Sequence, residues 1–131
     1  MRVVLDTNVL LAAFATRGLC EAVFETCLSA HEMVLSEHIL QEVARQLQEK
    51  FHLPRRRARE IVEFLRSAAT VVEPAEVPPS ACRDVSDLPV LGTAEAGGAD
   101  CLVSGDEDLL SLGRYGRTAV LSPRQFHDEL A

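Results

Sequence analysis

Six acidic residues stand where their carboxylates could share one reaction centre. Asp6 directly follows the apolar residues 3–5, and Asp106 comes shortly after the apolar residues 101–103. Several carboxylates gathered at one place repel each other unless a cation lies among them. Hard oxygen ligands select Mg²⁺ or Mn²⁺, and such ions promote phosphodiester hydrolysis by activating water and stabilising charge on the phosphate. The candidate acids are Asp6, Glu42, Asp84, Asp87, Asp106 and Asp108.

Each of these acids also has an ordinary structural explanation. An aspartate that follows a strand commonly forms a turn or caps a helix. Asp84 and Asp87 flank a predicted helix start, where an acid interacts favourably with the helix dipole. Glu42 shares its predicted helix with Glu37 and Glu49 and faces either a crevice or water. The combination of acids, rather than any one of them, favours a functional site.

The elements that must position these acids are short apolar strands alternating with helices. This alternation predicts an α/β fold with a parallel sheet, in which ligands bind beyond the carboxyl ends of the strands. If strands 3–5 and 101–103 are neighbours, Asp6 and Asp106 meet at one crevice. The predicted strands are 3–5, 33–35, 70–72, 101–103 and 118–121. The predicted helices are 9–15, 20–30, one capped by Ser36, one with Pro54 as its first residue, 89–96 and 123–130.

Composition places limits on the class of protein. The chain has 131 residues, 47% of them hydrophobic, and a formal net charge of -7, which indicates one globular domain that needs no disulfides. The acidic balance argues against holding nucleic acid by bulk positive charge, but not against a local basic face or a bound metal. No signal peptide or membrane span is evident, so we expect a cytoplasmic protein. Without a CxxC pair, four residues are predicted to be buried free thiols, namely Cys20, Cys27, Cys82 and Cys101.

The motifs that contain these acids resemble those of a known family. VVLDTNVLL near the start, SEHILQEVARQL in the middle and RDVSDLPVLGTAEAGGADCLVSGDEDLL near the end occur in order over nearly the full length. Together they resemble a PIN domain, specifically the small bacterial kind related to the VapC toxins of toxin–antitoxin pairs. The resemblance implies a single domain over residues 1–131 with a three-layer fold, in which helices flank a central parallel sheet of about four to five strands. It also implies a Mg²⁺- or Mn²⁺-dependent ribonuclease.

The resemblance further implies roles for individual residues. The acids matched to the catalytic, metal-holding positions are Asp6, Glu42, Asp87 and Asp106. Asp108 matches a more variable acid that supports the metals, and polar neighbours that orient acids and water are matched by Thr7, Asn8 and Ser104. Family members often carry consecutive acids where this chain reads Asp84-Val85-Ser86-Asp87. Asp87 is therefore the chosen match at that position. No histidine matches a general base, and we interpret all four as surface or helix-end residues.

A basic run contrasts with the acidic remainder of the chain. Residues 50–59 contain five of the thirteen basic residues, namely Lys50, Arg55, Arg56, Arg57 and Arg59. The four arginines could contact RNA phosphates, form a solvated helix face, or contact an antitoxin peptide. The resemblance also implies a homodimer, for which residues 37–69 are the expected surface.

Two other functional classes compete with a ribonuclease toxin. A catalytically silent module of the same fold could bind RNA or a protein partner. A phosphatase of the haloacid-dehalogenase type also begins with a strand that ends in aspartate. That chemistry requires a second acid two residues later, where this chain has Asn8, and a lysine near the later acids, whereas Lys50 is the single lysine.

Overall fold

The computed structural model describes residues 1–130, so that Ala131, the last residue of the predicted domain, lies outside the described range. The strands are β1 (Arg2–Leu5), β2 (Glu32–Ser36), β3 (Thr70–Val72), β4 (Cys101–Val103), β5 (Arg114–Tyr115) and β6 (Thr118–Leu121). The helices are α1 (Thr7–Ala15), α2 (Leu19–Ala30), α3 (Glu37–Glu49), α4 (Arg55–Ala68), α5 (Leu88–Ala96), α6 (Glu107–Leu110) and α7 (Pro123–Leu130). Two short 3₁₀ turns cover Pro79–Ala81 and Val85–Asp87.

The strands form one sheet in the order β3-β2-β1-β4-β6-β5, flanked by helices as predicted. All neighbouring strands are parallel except β5 and β6. The sheet therefore has six strands rather than the four to five expected. The additional strand β5 has two residues and is bounded by Gly113 and Gly116, both with positive φ. Two residues are too short to show an alternating pattern, which is why the sequence did not reveal this strand.

The central strands explain the apolar runs in the sequence. Val3, Val4 and Leu5 of β1 are fully buried, as are Leu102 and Val103 of β4. Because helices cover both faces of a parallel sheet, its inner strands are apolar on both sides. The three apolar residues that precede Asp6 therefore anchor β1 in the core, and Asp6 follows directly at the carboxyl end of this strand.

Helix boundaries follow local capping interactions. Ser36 caps α3 as predicted, since its Oγ accepts a hydrogen bond from the backbone N–H of Ile39 at 3.4 Å. Helix α1 begins at Thr7, two residues before the predicted start, because Asp6 caps it. Pro54 lies immediately before α4 instead of being its first residue. Helix α6, which follows Asp106, was not predicted as a separate element.

Helices α3 and α4 form an antiparallel hairpin. The guanidinium of Arg66, near the end of α4, donates to both carboxylate oxygens of Glu37 at the start of α3, at 2.9 and 2.8 Å. The connection between the two helices therefore lies at the end of α3 remote from β2. We call residues 50–59 the hairpin tip.

Two further expectations concern cysteines and membranes. All four cysteines are free, and three of them, Cys27, Cys82 and Cys101, are buried. No single helix within residues 1–130 is long and apolar enough to cross a membrane. The pair α1 and α2 would be long and apolar enough together, by length and composition alone, but the two helices meet at 106°.

Candidate active site

The two strands expected to deliver acids to one crevice are neighbours. Strand β1 pairs with β4 in parallel, with Leu5 opposite Val103. The backbone N–H of Asp6 continues this ladder by donating to the carbonyl of Val103 at 3.0 Å. Asp6 and Ser104 consequently leave the sheet side by side at its carboxyl edge.

Ser104 links Asp6 to Asp106. Its fully buried hydroxyl donates to Oδ2 of Asp6 at 2.7 Å and accepts from the backbone N–H of Asp106 at 2.9 Å. One serine therefore fixes a carboxylate from the start of the chain and the loop that carries a carboxylate from near its end. This geometry is that of an orienting residue, which is the role matched to Ser104 in the sequence.

Both strand-end aspartates cap helices, so the structural explanation holds for these two acids. Oδ1 of Asp6 accepts from the backbone N–H of Thr7 at 2.8 Å. Oδ1 of Asp106 accepts from the backbone N–H groups of Asp108 and Leu109, at 2.8 and 3.3 Å. Capping uses one oxygen of each carboxylate and holds the side chain in a single orientation. In Asp106, Oδ2 accepts no hydrogen bond from residues 1–130.

A cavity of about 290 Å³ opens above this edge of the sheet. We call it the carboxylate cavity. It contains the four acids matched to catalytic positions, together with Thr7 and Asn8, whereas Ser104 lies beneath it and Asp108 beside it. Its lining residues are Asp6, Thr7, Asn8, His38, Glu42, Gln46, Asp84, Ser86, Asp87, Pro89, Val90 and Asp106.

Burial and mutual repulsion disfavour negative charge in the cavity. Asp87 is 8% exposed, and burial, followed by the nearby carboxylates of Asp106, Asp6, Asp84 and Asp108, raises the pKa of Asp87 to about 7. Burial also raises the pKa of Asp6, although hydrogen bonds from Ser104 and Thr7 oppose this effect. A cation placed among these groups would relieve both penalties.

Asp84, which the sequence left as the less certain match, lies close to Asp87. Carboxylate oxygens of Asp84, Asp87 and Asp108 all fall within 4.8 Å of one another. Asp84 is held by Ser86, whose backbone N–H and hydroxyl donate to its Oδ1 at 3.0 and 2.8 Å. Asp87 therefore faces two sets of acids, one from the strand ends and one from its own loop and α6.

Glu42 reaches the cavity from α3 but is already paired. Arg45 donates to both of its carboxylate oxygens, at 3.2 and 2.8 Å, and this interaction lowers the pKa of Glu42. The carboxylate is thus charged, and it must release Arg45 before it can bind a metal ion with both oxygens. Arg45 has half of its side chain exposed, so that little holds the pair together.

Among the cavity residues that sequence reasoning missed, two lie on α3, namely His38 and Gln46. They lie four residues before and after Glu42, so all three share one face of α3. That spacing was a usable signal. His38 is at a helix end, as we expected for the histidines, but it lines the carboxylate cavity instead of only facing water.

The arginine run is not part of the cavity. Arg55, Arg56, Arg57 and Arg59 are exposed on the first turns of α4, and none of them lines it. Within residues 1–130, Arg57 forms the one ion pair of this group, with Glu60 at 3.4 Å. Lys50, at the hairpin tip, comes eight positions after Glu42, which corresponds to about 12 Å along the axis of α3.

The donor set of the cavity fits a hard divalent cation. The acids offer carboxylate oxygens, the ligands that Mg²⁺ and Mn²⁺ prefer. A softer ligand, the Sγ of Cys82, lies 4.0 Å from Oδ2 of Asp87. Burial raises the pKa of the Cys82 thiol, which keeps it protonated and a poor metal ligand.

Comparisons with known proteins concern the family and the fold of the chain. The sequence model of the PIN domain matches residues 2–108. No curated protein sequence matches the chain. A chain in the crystal structure of VapBC2 from Rickettsia felis, bound to a DNA fragment from their promoter, has a similar fold with a TM-score of 0.64. The two chains are 13% identical, and the alignment covers 93% of this chain and 98% of that one.

Proposed function

Because the chain belongs to the PIN domain family, we propose that it is a metal-dependent ribonuclease that hydrolyses RNA phosphodiester bonds. The observation that carries this proposal is the carboxylate cavity, where Asp6, Asp87 and Asp106 converge and where burial disfavours the charged forms of Asp6 and Asp87. Buried carboxylates that repel one another are stable as anions when a cation binds between them. We propose that residues 1–131 form a single domain and that the protein is cytoplasmic.

In this proposal the chain's own residues hold the ion and align the substrate. Mg²⁺ or Mn²⁺, when bound, lowers the pKa of water and neutralises charge on the phosphate. Asp6, Glu42, Asp87 and Asp106 bind one or two such ions, with Asp108 supporting them from beside the cavity. Ser104, Thr7 and Asn8 keep the acids and solvent in position.

We further propose that the protein is the toxin of a toxin–antitoxin pair. The similarity in fold to a chain of VapBC2 supports this view. So does an apolar groove at the far end of α3, beside the hairpin tip. It measures about 220 Å³ and is lined by Phe14, Ala15, Leu47, Phe51, Leu53 and Ile61.

Two of the groove residues are unusually exposed for phenylalanine, at 38% for Phe14 and 42% for Phe51. A large exposed apolar group, here Phe51, on the same helical hairpin as exposed arginines suits a partner with apolar and acidic side chains. We place the antitoxin contact here. Contact of the arginines with RNA is the alternative use of this face, and residues 37–69 are the proposed surface of a homodimer.

A silent binding module is the second candidate, and one observation favours it. Both carboxylate oxygens of Glu42 are occupied by Arg45, as expected if the acid has only a structural role. Binding of a metal ion by both oxygens of Glu42 would require this pair to open.

The test is an RNA cleavage assay with Mg²⁺ or Mn²⁺, with and without EDTA. We expect cleavage by the wild type, none with EDTA, and a fall to background in Asp6→Asn. The matched control Asp128→Asn changes an exposed aspartate on α7 and should keep full activity. Cleavage that survives EDTA or Asp6→Asn would refute the metal mechanism, and binding of RNA or a partner without cleavage would favour the silent module.

A further inference from the structure

A second depression adjoins the carboxylate cavity. It measures about 340 Å³ and is bordered by side chains without a carboxylate. We call it the apolar shelf. Its lining residues are His38, Pro74, Ala75, Val77, Leu88 and Pro89. His38 and Pro89 line both depressions, so the two form one continuous surface with an acidic half and an apolar half.

The apolar shelf is preformed. The backbone N–H of Ala75 donates to the carbonyl of Gly92 in α5 at 2.9 Å. A Cβ on Gly92 would lie 2.3 Å from the carbonyl oxygen of Ala75, which shows how closely the loop approaches this helix. Val77 and Leu88 are partly buried and pack against the core. The side chains that form the base of the apolar shelf are therefore already ordered, so a ligand would bind without the cost of ordering them.

His38 forms the border between the two halves. It lies on α3 one turn before Glu42, and its ring makes no hydrogen bond with any other residue in the range 1–130. His38 lines the carboxylate cavity together with Asp6 and Glu42, which places the ring close to the acids. The imidazole is therefore near the position of a bound phosphate and also walls the apolar shelf.

We propose that the apolar shelf binds the nucleobase next to the phosphodiester that occupies the carboxylate cavity, with the His38 ring packed against the base. This inference rests on the proposed ribonuclease function and adds a substrate subsite to it. Single-stranded RNA is recognised through unstacked bases that pack on flat or apolar side chains. Because base and phosphate belong to one nucleotide, their subsites must adjoin, as these two depressions do.

The absence of carboxylates on the shelf is part of the argument. A nucleobase is uncharged and loses hydration on binding, so an apolar floor favours it while the acidic half attracts the metal-bound phosphate. The size of the shelf is sufficient for one base. An extended peptide or a second copy of the chain would also be able to cover apolar side chains, and the experiment below separates these occupants.

The test measures binding of small probes with Mg²⁺ present. Ribose 5-phosphate has the phosphate and sugar but no base, whereas the four nucleoside 5′-monophosphates add one. We expect at least one nucleotide to bind at least about fivefold more tightly than ribose 5-phosphate, the lower limit of base stacking on a side chain. In His38→Ala the ratio of the two affinities should fall to about one, whatever the change in the affinity for ribose 5-phosphate itself, since His38 also lines the carboxylate cavity.

Two further variants serve as a control and as a second test of the apolar shelf. His127→Ala changes a histidine on α7 that lines neither depression and should retain the preference. Val77→Ser alters the floor without touching the carboxylate cavity and should weaken nucleotide binding alone. If Val77→Ser instead changes the oligomeric state measured by sedimentation and leaves nucleotide binding intact, the shelf is a protein interface and the inference is wrong.

The readout separates this inference from the ribonuclease proposal. Equal binding of nucleotides and ribose 5-phosphate, or a preference that persists in His38→Ala, would overturn the subsite even if RNA is cleaved. A preference that depends on His38 without any RNA cleavage would support the subsite and contradict hydrolysis.

Discussion

The carboxylate cavity and the hairpin tip hold charge in opposite ways. In the cavity, Asp6 and Asp87 are less than a tenth exposed, and Asp6 is fixed by hydrogen bonds from Ser104 and from the backbone of Thr7. At the tip, the arginines are exposed, and Arg57 is the one that forms an ion pair among residues 1–130. The net charge of -7 is a sum that hides this difference between a buried acidic region and an exposed basic one.

The difference shows which charges are costly. Buried like charges are unfavourable in the folded chain until a cation or a proton neutralises them. Exposed charges are solvated and contribute little to the free energy of unfolding, so they are available to bind a partner without loss of stability. A mutation in the cavity should therefore change both stability and chemistry, whereas a mutation at the tip should change association alone.

The largest effect is expected from Asp87→Asn. Cleavage should fall by more than about 100-fold, since residues that merely orient metal ligands already cost 10–100-fold. The metal-free variant should nevertheless be more stable than the wild type at about pH 8. The folded pKa of Asp87 is about 7 against an ordinary value of 3.8. The protonated form is thus favoured on folding, and the wild type loses that stability as pH rises from about 4 to 7.

Thermal unfolding in EDTA at several pH values measures this effect. The two proteins should unfold together at about pH 4 and separate as the pH rises, and added Mg²⁺ should stabilise the wild type more than the variant. A variant that is less stable than the wild type at about pH 8 would mean that Asp87 is a structural acid, and the contrast with the hairpin tip would lose its basis.

A smaller effect is expected from Ser104→Ala, because Ser104 holds the acids without reaching the cavity. Loss of its hydroxyl leaves a buried oxygen of Asp6 without its donor, at a cost of about 1–3 kcal/mol in the free energy of unfolding. Cleavage should fall by about 10–100-fold. Denaturant unfolding and a Mg²⁺ titration of activity measure the two losses. The control Ser111→Ala removes an exposed hydroxyl that donates to the carbonyl of Asp108 and should have little effect on either.

The smallest effect is expected from the triple change Arg55→Ala, Arg56→Ala and Arg59→Ala. Stability should change by less than about 0.5 kcal/mol per site, and cleavage of a short RNA by less than about threefold, because none of these side chains lines the cavity. A marked loss of RNA binding with a weaker dependence on salt would show instead that the arginines contact phosphates, and the comparison would need to be redrawn.

Sequence predicted the parts of the site that local patterns determine. Asp6 and Asp106 each follow a short apolar strand, and parallel strands present their carboxyl ends at one edge, so their meeting could be anticipated. Ser36 was recognised as a cap for the same local reason. These features need only a few neighbouring residues to be evident.

The rest depends on contacts between distant elements. The spacing of His38 and Gln46 places them on the same face of α3 as Glu42, but that this face meets the cavity depends on the packing of α3 beside α1. Asp84 approaches Asp108 through the path of a loop that contains two 3₁₀ turns. The two-residue strand β5 forms through its pairing with β6. The Glu42–Arg45 ion pair is one of several pairs that the charged residues of α3 could form.

The hydrogen bond between Ser104 and Asp6 spans 98 positions in the chain. During synthesis, Asp6 leaves the ribosome long before Ser104 and Asp106 exist, so a nascent or truncated chain that ends before β4 has one wall of the cavity and not the other. The carboxylate cavity is completed only when nearly all of the described residues have been made. The proposed activity would therefore require a chain that extends at least through Asp106, and shorter fragments would lack it.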